Sequence, residues 1–232
     1  MFESREAIVN QMRHLRLTMP RALSRLVAAT LLPPRCLLCG FPGASLDLDL
    51  CEVCRDDLPW APPSGDALVA LRYEHPVDEL IRRLKYQGVV AHARVLAVLL
   101  AQIARKRDAV LPALLIPVPL HTARWRERGF NQAAAIARHA GNLLAIPVAR
   151  HAALRVRDTP SQTALDLNAR RLNVRAAFAL RGGRSLEKLS AAGHVAIVDD
   201  VVTTGSTVNE LRRVLLAAGV RRVEVWAVAR AT

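Results

Sequence analysis

A short apolar run that ends in two adjacent carboxylates sets strict limits on how this chain can fold. The run VAIV at 195–198 lies directly before Asp199 and Asp200, and STVNELRRVLLAAG follows a few residues later. A short, fully apolar run is typical of a strand buried on both faces, and the second segment has the apolar spacing of a helix ended by Gly219. A buried strand that leads into a helix predicts an α/β sheet in which ligands bind beyond the carboxyl ends of the strands.

The same alternation of helices and apolar strands extends from about Leu68 to the C-terminus. Helices are predicted within 75–88, 89–107, 131–144 and 206–219, and strands within 114–119, 195–200 and 220–230. Gly88 is expected to end the first helix, whereas Pro117 and Pro119 argue against a helix in the LLIPVP segment. Strands that alternate with helices predict a parallel, right-handed α/β sheet.

The composition is that of a folded globular protein with a basic surface. The chain has 232 residues, of which 52% are hydrophobic and 23% are charged, enough for one α/β core and a small additional module. Its longest apolar runs, such as 95–104, are too short to cross a membrane, and no secretory leader pattern is evident, so we expect a cytoplasmic protein without a transmembrane segment. The net charge of +13 favours anionic ligands without choosing among them.

All four cysteines fall into two C-x-x-C pairs, formed by Cys36 with Cys39 and by Cys51 with Cys54. Two such pairs can close a tetrahedron of thiolates, which predicts a structural zinc site. Disulfides are the alternative, but a cytoplasmic location disfavours them. Because a closed four-cysteine site leaves no open coordination position, we assign it no catalytic role.

These patterns divide the chain into three parts. Residues 1–32 have loose helical periodicity, 33–60 form a loop-rich zinc module, and 61–232 form the α/β domain. Because thiolate coordination contributes folding free energy directly, removal of zinc is expected to unfold 33–60 first and to leave much of the α/β domain intact.

The loop after the acidic pair has the composition of a phosphate-binding site. It offers hydroxyl groups and one glycine at the start of a helix, from Thr203, Thr204, Gly205, Ser206 and Thr207. Backbone N–H groups at a helix start attract anions, and glycine permits close approach of the ligand. The loop lacks the lysine of a Walker loop and the GxGxxG of a dinucleotide fold. Since carboxylates accept hydrogen bonds from ribose hydroxyls, the ligand suggested is a ribose 5-phosphate group. A capped turn without ligand is the alternative interpretation.

The segment VAIVDDVVTTGST resembles the phosphoribosyl-diphosphate (PRPP) motif of type I phosphoribosyltransferases. The whole chain from about Leu31 resembles the ComF family, which joins a short cysteine module to a phosphoribosyltransferase-like domain. Further matching stretches are LLPPRCLLCG…CEVC, LIRRLKYQG, IPVPLHTARWRERGFNQA and TPSQTALDLNARRLNVRAAF. The resemblance implies a parallel-sheet, type I phosphoribosyltransferase-like core preceded by a small zinc-ribbon-like module.

The resemblance also implies roles for individual residues. Asp199, Asp200 and Arg128 would be catalytic, with both carboxylates on the ribose, and the 203–207 loop would hold the 5-phosphate. Arg124 and Arg126 would join Arg128 on the diphosphate, because the guanidinium fork matches phosphate oxygens. The remaining substrate-binding candidates are Lys85, Asn131, Gln132, Gln162 and Arg170, the last two in a lid over 155–173.

A Mg²⁺-dependent phosphoribosyltransferase that releases pyrophosphate from PRPP is the activity that this resemblance implies. Thr203 stands where the 6-oxopurine enzymes carry an acidic residue, so salvage of guanine or hypoxanthine is not expected. The alternative is a non-catalytic protein that senses nucleotides or handles single-stranded DNA. The association of the ComF family with competence for DNA uptake supports keeping this alternative and implies a competence-associated helicase as a partner, whereas the intact carboxylates and phosphate loop favour binding of the phosphoribosyl ligand.

Overall fold

The computed structural model describes residues 35–42, 49–63, 65, 67–88, 90–157 and 176–231. The N-terminal segment predicted over 1–32 lies outside these residues, as do Gln162 and Arg170 of the predicted lid.

A parallel four-stranded sheet with the strand order β1-β6-β5-β2 forms the centre of the molecule. Its strands are β1 (Leu68–Arg72), β2 (Leu114–Pro117), β5 (His194–Val202) and β6 (Arg222–Arg230). A separate antiparallel pair consists of β3 (Ala153–Arg155) and β4 (Phe178–Leu180). β5 pairs with β2 on one side and with β6 on the other, so the acidic pair at 199–200 lies in one of the two central strands.

Seven helices are assigned within the described residues. They are α1 (Glu52–Asp56), α2 (Val77–Gln87), α3 (Val90–Lys106), α4 (Thr122–Arg128), α5 (Gln132–Leu144), α6 (Arg184–Ala192) and α7 (Ser206–Ala217). In α2, the apolar residues Val77, Leu80, Ile81 and Leu84 are buried at helical spacing. The helix ends where Gly88 adopts a left-handed conformation with φ +64°, as the sequence predicts.

Two apolar clusters cover the two faces of the sheet. One contains the buried faces of α2, α3 and α5 together with Ala196 and Val198 of β5. The other contains the buried face of α7 together with Val195 and Ile197. Because consecutive strand residues point to opposite faces, β5 contributes alternately to both clusters. The sheet is therefore buried on both sides, which accounts for its continuous apolar sequence.

The cysteine module packs directly onto the first of these clusters. Cys36, Leu50 and Leu58 are buried in the same cluster as Leu71 of β1 and Leu96 of α3. An ion pair between Asp49 of the module and Arg94 of α3 adds a polar contact. The module and the α/β core thus share one apolar interior.

The predicted fold class, a parallel α/β core preceded by a zinc-ribbon-type module, is confirmed. The strand β1 and the β3–β4 pair were not predicted, and neither was the short helix α4, which lies inside the matching stretch IPVPLHTARWRERGFNQA at 116–133. β5 also continues to Val202, beyond the acidic pair.

Candidate functional site

An open cavity of about 400 Å³ lies at the carboxyl edge of the sheet, where β2 and β5 end. β2 ends opposite Val198, so the last residues of β5 extend past their neighbour on that side. The segments that follow the two strands form much of the cavity wall. The cavity is lined by the predicted residues Lys85, Arg124, Arg128, Asn131, Gln132, Asp199, Asp200, Thr203, Gly205, Ser206 and Thr207.

Two predicted residues within the described chain are not part of the cavity wall. Thr204 does not line the cavity, and its hydroxyl lies 2.8 Å from that of Ser206. Arg126 is exposed on α4 and does not line the cavity, whereas Arg124 and Arg128 of the same helix do. Of the three arginines expected to bind the diphosphate, two therefore lie at the cavity.

The two carboxylates of the acidic pair have different surroundings. Asp200 is 8% exposed, and its Oδ2 lies 3.2 Å from Nζ of Lys85 on α2. Its Oδ1 accepts a hydrogen bond from the backbone N–H of Val201 at 2.8 Å. Asp199 is more open, and its Oδ1 accepts the backbone N–H of Asp200 at 2.9 Å. The chain therefore neutralises one carboxylate of the pair internally.

These surroundings shift the pKa values of both Asp199 and Lys85. Burial and the neighbouring Asp200 carboxylate raise the pKa of Asp199 well above its ordinary value. Burial alone would lower the pKa of Lys85, but its attraction to Asp200 outweighs this and raises the pKa. The Lys85 ammonium group that lines the cavity therefore holds its proton more firmly than an ordinary lysine, and the Asp199 carboxyl group ionises less readily than an ordinary aspartic acid.

The start of α7 forms one wall of the cavity. Gly205 precedes the helix with φ +73°, a conformation that L side chains rarely adopt, and it provides no side-chain cap. The N–H of Ser206 points to the Thr204 hydroxyl at a long 3.4 Å. The backbone N–H groups at the first turn of a twelve-residue helix, beside several hydroxyl groups, form an anion-binding arrangement.

The start of α5 forms a second wall. Asn131 caps this helix by accepting the N–H of Ala134 at 3.0 Å and donates to the carbonyl of Val118 at 2.9 Å. Gln132 is only 2% exposed, and Arg128 approaches its Oε1 at 3.4 Å. Arg128 Nε and Gln132 Nε2 are buried donors without a hydrogen-bond partner among the described residues. Since unpaired buried donors are costly, this wall suits an anion that accepts from both.

Four aromatic or basic residues of the cavity wall were not among the individual candidates from the sequence: Tyr73, Arg82, Tyr86 and Arg155. Tyr86 follows Lys85 in the LIRRLKYQG stretch, and the Arg128 guanidinium lies 5.4 Å from the centroid of its ring. Tyr86 is 65% exposed. The sequence contained one signal for it, since an aromatic residue stands next to a lysine on the apolar face of the predicted helix. Arg155 is the first residue of the predicted lid at 155–173, and in the structure it is the last residue of β3.

The four cysteines form a cluster with the geometry of a zinc site. Their sulfur atoms all lie within 4.8 Å of one another, and those of Cys39 and Cys51 are 3.6 Å apart. A tetrahedral zinc ion with Zn–S bonds of about 2.3 Å holds its sulfurs about 3.8 Å apart, whereas a disulfide requires about 2.0 Å. Burial opposes ionisation of Cys36, but backbone hydrogen bonds outweigh it and lower its pKa to about 6. The cluster fits a structural zinc ion.

The fit of Mg²⁺ to the acidic pair is only partial. Both oxygens of Asp200 are engaged, one by Lys85 and one by Val201 N–H. Mg²⁺ is bound in many proteins through one or two carboxylates together with substrate phosphates. A Mg²⁺ ion held jointly by Asp199 and Asp200 does not fit this arrangement, since Lys85 already occupies one side of Asp200.

The fold and the cysteine cluster together define an α/β protein that carries a zinc-ribbon module. Residues 27–67 match the family model of the double zinc ribbon domain. The chain is 38% identical to Competence protein F of Haemophilus influenzae over 175 residues, which is 73% of this chain and 75% of that protein. It is 35% identical to DNA utilization protein YhgH of Salmonella typhimurium over 201 residues, covering 84% of this chain and 83% of the relative. Competence protein ComFC of Streptococcus pneumoniae is 24% identical over 159 residues, 68% of this chain and 65% of that protein.

The chain belongs to the ComF family, which includes Competence protein F and DNA utilization protein YhgH. Each helix in the described part of the chain is too short or too polar to span a membrane.

Proposed function

We propose that this protein binds a ribose with phosphate groups at both ends, of which PRPP is the expected example, in the cavity at the carboxyl edge of the sheet. The observation that supports this most directly is the meeting of two helix starts, those of α5 and α7, at one cavity that also contains a carboxylate pair. Each helix start favours an anion, and the carboxylates favour hydroxyl groups.

The 5-phosphate is assigned to the start of α7. Gly205 permits close approach, and the hydroxyls of Thr203, Ser206 and Thr207 line the same wall. The diphosphate is assigned to the start of α5, where Arg128 Nε and Gln132 Nε2 are buried donors that lack an acceptor among the described residues. The ribose would then lie over Asp199.

Transfer of the phosphoribosyl group with release of pyrophosphate is the activity proposed for this site. The chain would contribute by holding the ribose and by stabilising charge on the leaving diphosphate through Arg128. Mg²⁺, when bound, would neutralise part of the diphosphate charge. Release of pyrophosphate from PRPP distinguishes such an enzyme from a protein that only binds the ligand.

The relatives named for DNA utilization and competence support a cellular role in the uptake or use of DNA. A second candidate function, binding of single-stranded DNA, is favoured by the outer face of α4. There Trp125 is 54% exposed and Arg126 is also exposed, a combination that suits base stacking and phosphate contact. Single-stranded DNA and a competence-associated helicase are the partners proposed under this alternative.

The test compares two arginines of the same helix. Arg128→Ala should weaken PRPP binding by about 1.5–3 kcal/mol, as expected for lost charge-assisted hydrogen bonds, whereas Arg126→Ala should leave it unchanged. Ribose 5-phosphate should bind both variants nearly alike, because it lacks the diphosphate. Calorimetric titration of PRPP and ribose 5-phosphate provides the measurement.

If the two substitutions changed the affinity for PRPP equally, the assignment of the diphosphate to the start of α5 would be contradicted. Titration of a short oligonucleotide at two salt concentrations against the same variants addresses the alternative. If Arg126→Ala weakens binding of the oligonucleotide and Arg128→Ala does not, the outer face of α4 binds DNA separately from the cavity.

A further inference from the structure

Lys85 lies on the buried face of α2, where the apolar spacing would place a hydrophobic residue. It follows Ile81 by four positions and Val77 by eight, and both of these residues are fully buried. Its side chain is 22% exposed, and its ammonium group reaches Asp200 Oδ2 at 3.2 Å. A lysine in a core-facing position is costly to bury unless it is paired, and Asp200 is the partner.

The two carboxylates are left with unequal capacity for new contacts. Both oxygens of Asp200 are used, by the Lys85 ammonium and by Val201 N–H. Asp199 uses Oδ1 for the N–H of Asp200, and its Oδ2 has no hydrogen-bond partner among the residues that the structure describes. Asp199 is also the more exposed of the two. A ligand in the cavity would therefore find its available acidic oxygen on Asp199.

We propose that Lys85 is a built-in cation of the acidic pair: its ammonium group occupies the side of Asp200 that a divalent metal ion would take, and it leaves Asp199 as the carboxylate that contacts the ligand. A divalent ion shared by both carboxylates would be repelled by Lys85 at short range. Any metal ion at this site would have to arrive with the ligand's phosphates and approach Asp199 only. The nature of that ligand rests on the proposed function, but the role of Lys85 does not.

The competing explanation is that Lys85 and Asp200 form a purely structural ion pair. Binding of a metal ion distinguishes this explanation from the proposal. Removal of the ammonium group by Lys85→Gln would leave the Asp200 carboxylate without its cation in a cavity wall that Asp199 also lines, an arrangement that attracts a divalent ion. A structural pair would lose stability on the same substitution without gaining affinity for metal.

The experiment titrates Mn²⁺ alone against zinc-loaded protein and follows free Mn²⁺ by electron paramagnetic resonance. Lys85→Gln should bind one Mn²⁺ at least tenfold more tightly than the unaltered chain. The gain should disappear in Lys85→Gln combined with Asp200→Asn. Arg82→Gln is the matched control, because it removes the same charge from the same helix and cavity wall without a contact to either carboxylate. It should not raise the affinity for Mn²⁺.

The proposal would be overturned if Lys85→Gln did not raise the affinity for Mn²⁺, or if Arg82→Gln raised it equally. If Lys85→Gln is poorly folded, Lys85→Met keeps the apolar stem, and a rise of its melting temperature on addition of Mn²⁺ reports the same binding. No such rise in folded Lys85→Met would also overturn the proposal.

The outcome is independent of the proposed function. If the unaltered chain fails to bind PRPP while Lys85→Gln gains the Mn²⁺ site, the proposed ligand is wrong and the role of Lys85 stands. If the unaltered chain binds PRPP but Lys85→Gln shows no higher affinity for Mn²⁺, the proposed ligand stands and the role proposed for Lys85 is wrong.

Discussion

Asp199 and Asp200 show how neighbouring residues of one type acquire different chemistry from their surroundings. Adjacent positions in a strand point to opposite faces of the sheet, and Asp200 meets Lys85 of α2. Asp199 has no such cation at contact distance among the described residues, and burial together with Asp200 raises its pKa. Two adjacent carboxylates repel each other, and the contact of Lys85 with Asp200 relieves part of this repulsion within the chain itself.

Replacement of Asp199 by Asn should stabilise the protein at neutral pH. Because the pKa of Asp199 is higher in the folded than in the unfolded chain, folding favours the protonated form, and stability falls as the pH rises through the folded-state pKa. Asn keeps the oxygen that accepts the Asp200 N–H and carries no charge. We expect Asp199→Asn to raise the free energy of unfolding by about 0.5–2 kcal/mol at pH 7, with the difference vanishing near pH 4.

The measurement is urea unfolding of both proteins between pH 4 and 8, with Asp200→Asn as the control. That substitution leaves the Lys85 ammonium without its counter-charge, so it should cost about 1–3 kcal/mol at pH 7, less than for a fully buried pair because Lys85 is partly exposed. If both Asn variants changed stability in the same direction, the two carboxylates would not have the separate environments described above.

At the scale of single elements, α7 depends on the unusual backbone conformation at its start. Gly205 has φ +73°, and a Cβ atom there would lie 3.2 Å from Nδ2 of Asn209. Gly205→Ala should therefore destabilise the protein by about 1–2 kcal/mol. It should also weaken binding of ribose 5-phosphate, because relief of the strain shifts the first turn of α7, which lines the cavity.

Gly182→Ala is the matched control for this substitution. Gly182 has no positive φ, and no heavy atom lies within 4 Å of the position that a Cβ atom would take there, so alanine should be neutral or stabilising by up to about 1 kcal/mol. Thermal unfolding and phosphate-ligand titration of both variants provide the comparison. Normal ligand binding by Gly205→Ala would argue against the start of α7 as the 5-phosphate site.

Elements with strong local patterns were predictable, and those defined by distant partners were not. The apolar stripe and terminal Gly88 predict α2, and the run at 195–198 predicts β5. β3 is three residues long and exists through its pairing with β4, more than twenty residues away, so no local period marks it. The site followed the same rule: the loop composition indicated Gly205 and its neighbours, whereas the contact between Lys85 and Asp200 depends on how α2 packs against β5.

At the scale of the whole molecule, the zinc module is part of the core and not an appendage. Cys36, Leu50 and Leu58 are buried among residues of β1, α2 and α3, and Asp49 pairs with Arg94. Backbone hydrogen bonds continue this contact, since the N–H of Arg72 in β1 donates to the carbonyl of Pro59 at 2.8 Å. The cysteine spacing predicts the metal site, but spacing alone does not show which surface the folded module covers.

This shared core changes the expected result of zinc removal. From sequence, chelation is expected to unfold 33–60 first and to spare the α/β domain. In the structure, loss of the module uncovers apolar surface of α2 and α3, so protection of backbone amides in these two helices should fall along with that of the module. Because α2 carries Lys85, affinity for ligands of the cavity should fall as well. Residues of α7 belong to the opposite cluster and serve as an internal control.

Hydrogen exchange followed by mass spectrometry, with and without a zinc chelator, tests this coupling peptide by peptide. We expect faster exchange in 35–42, 49–63, 77–87 and 90–106, and a smaller change in 206–217. Cys39→Ser should reproduce the pattern without chelator, because Cys39 is exposed and its replacement removes a zinc ligand with little loss of packing. If exchange increased only in the module while α2 and α3 stayed protected, the module would fold as a separate unit, and the contacts of Leu50 and Leu58 would contribute little to the stability of the α/β core.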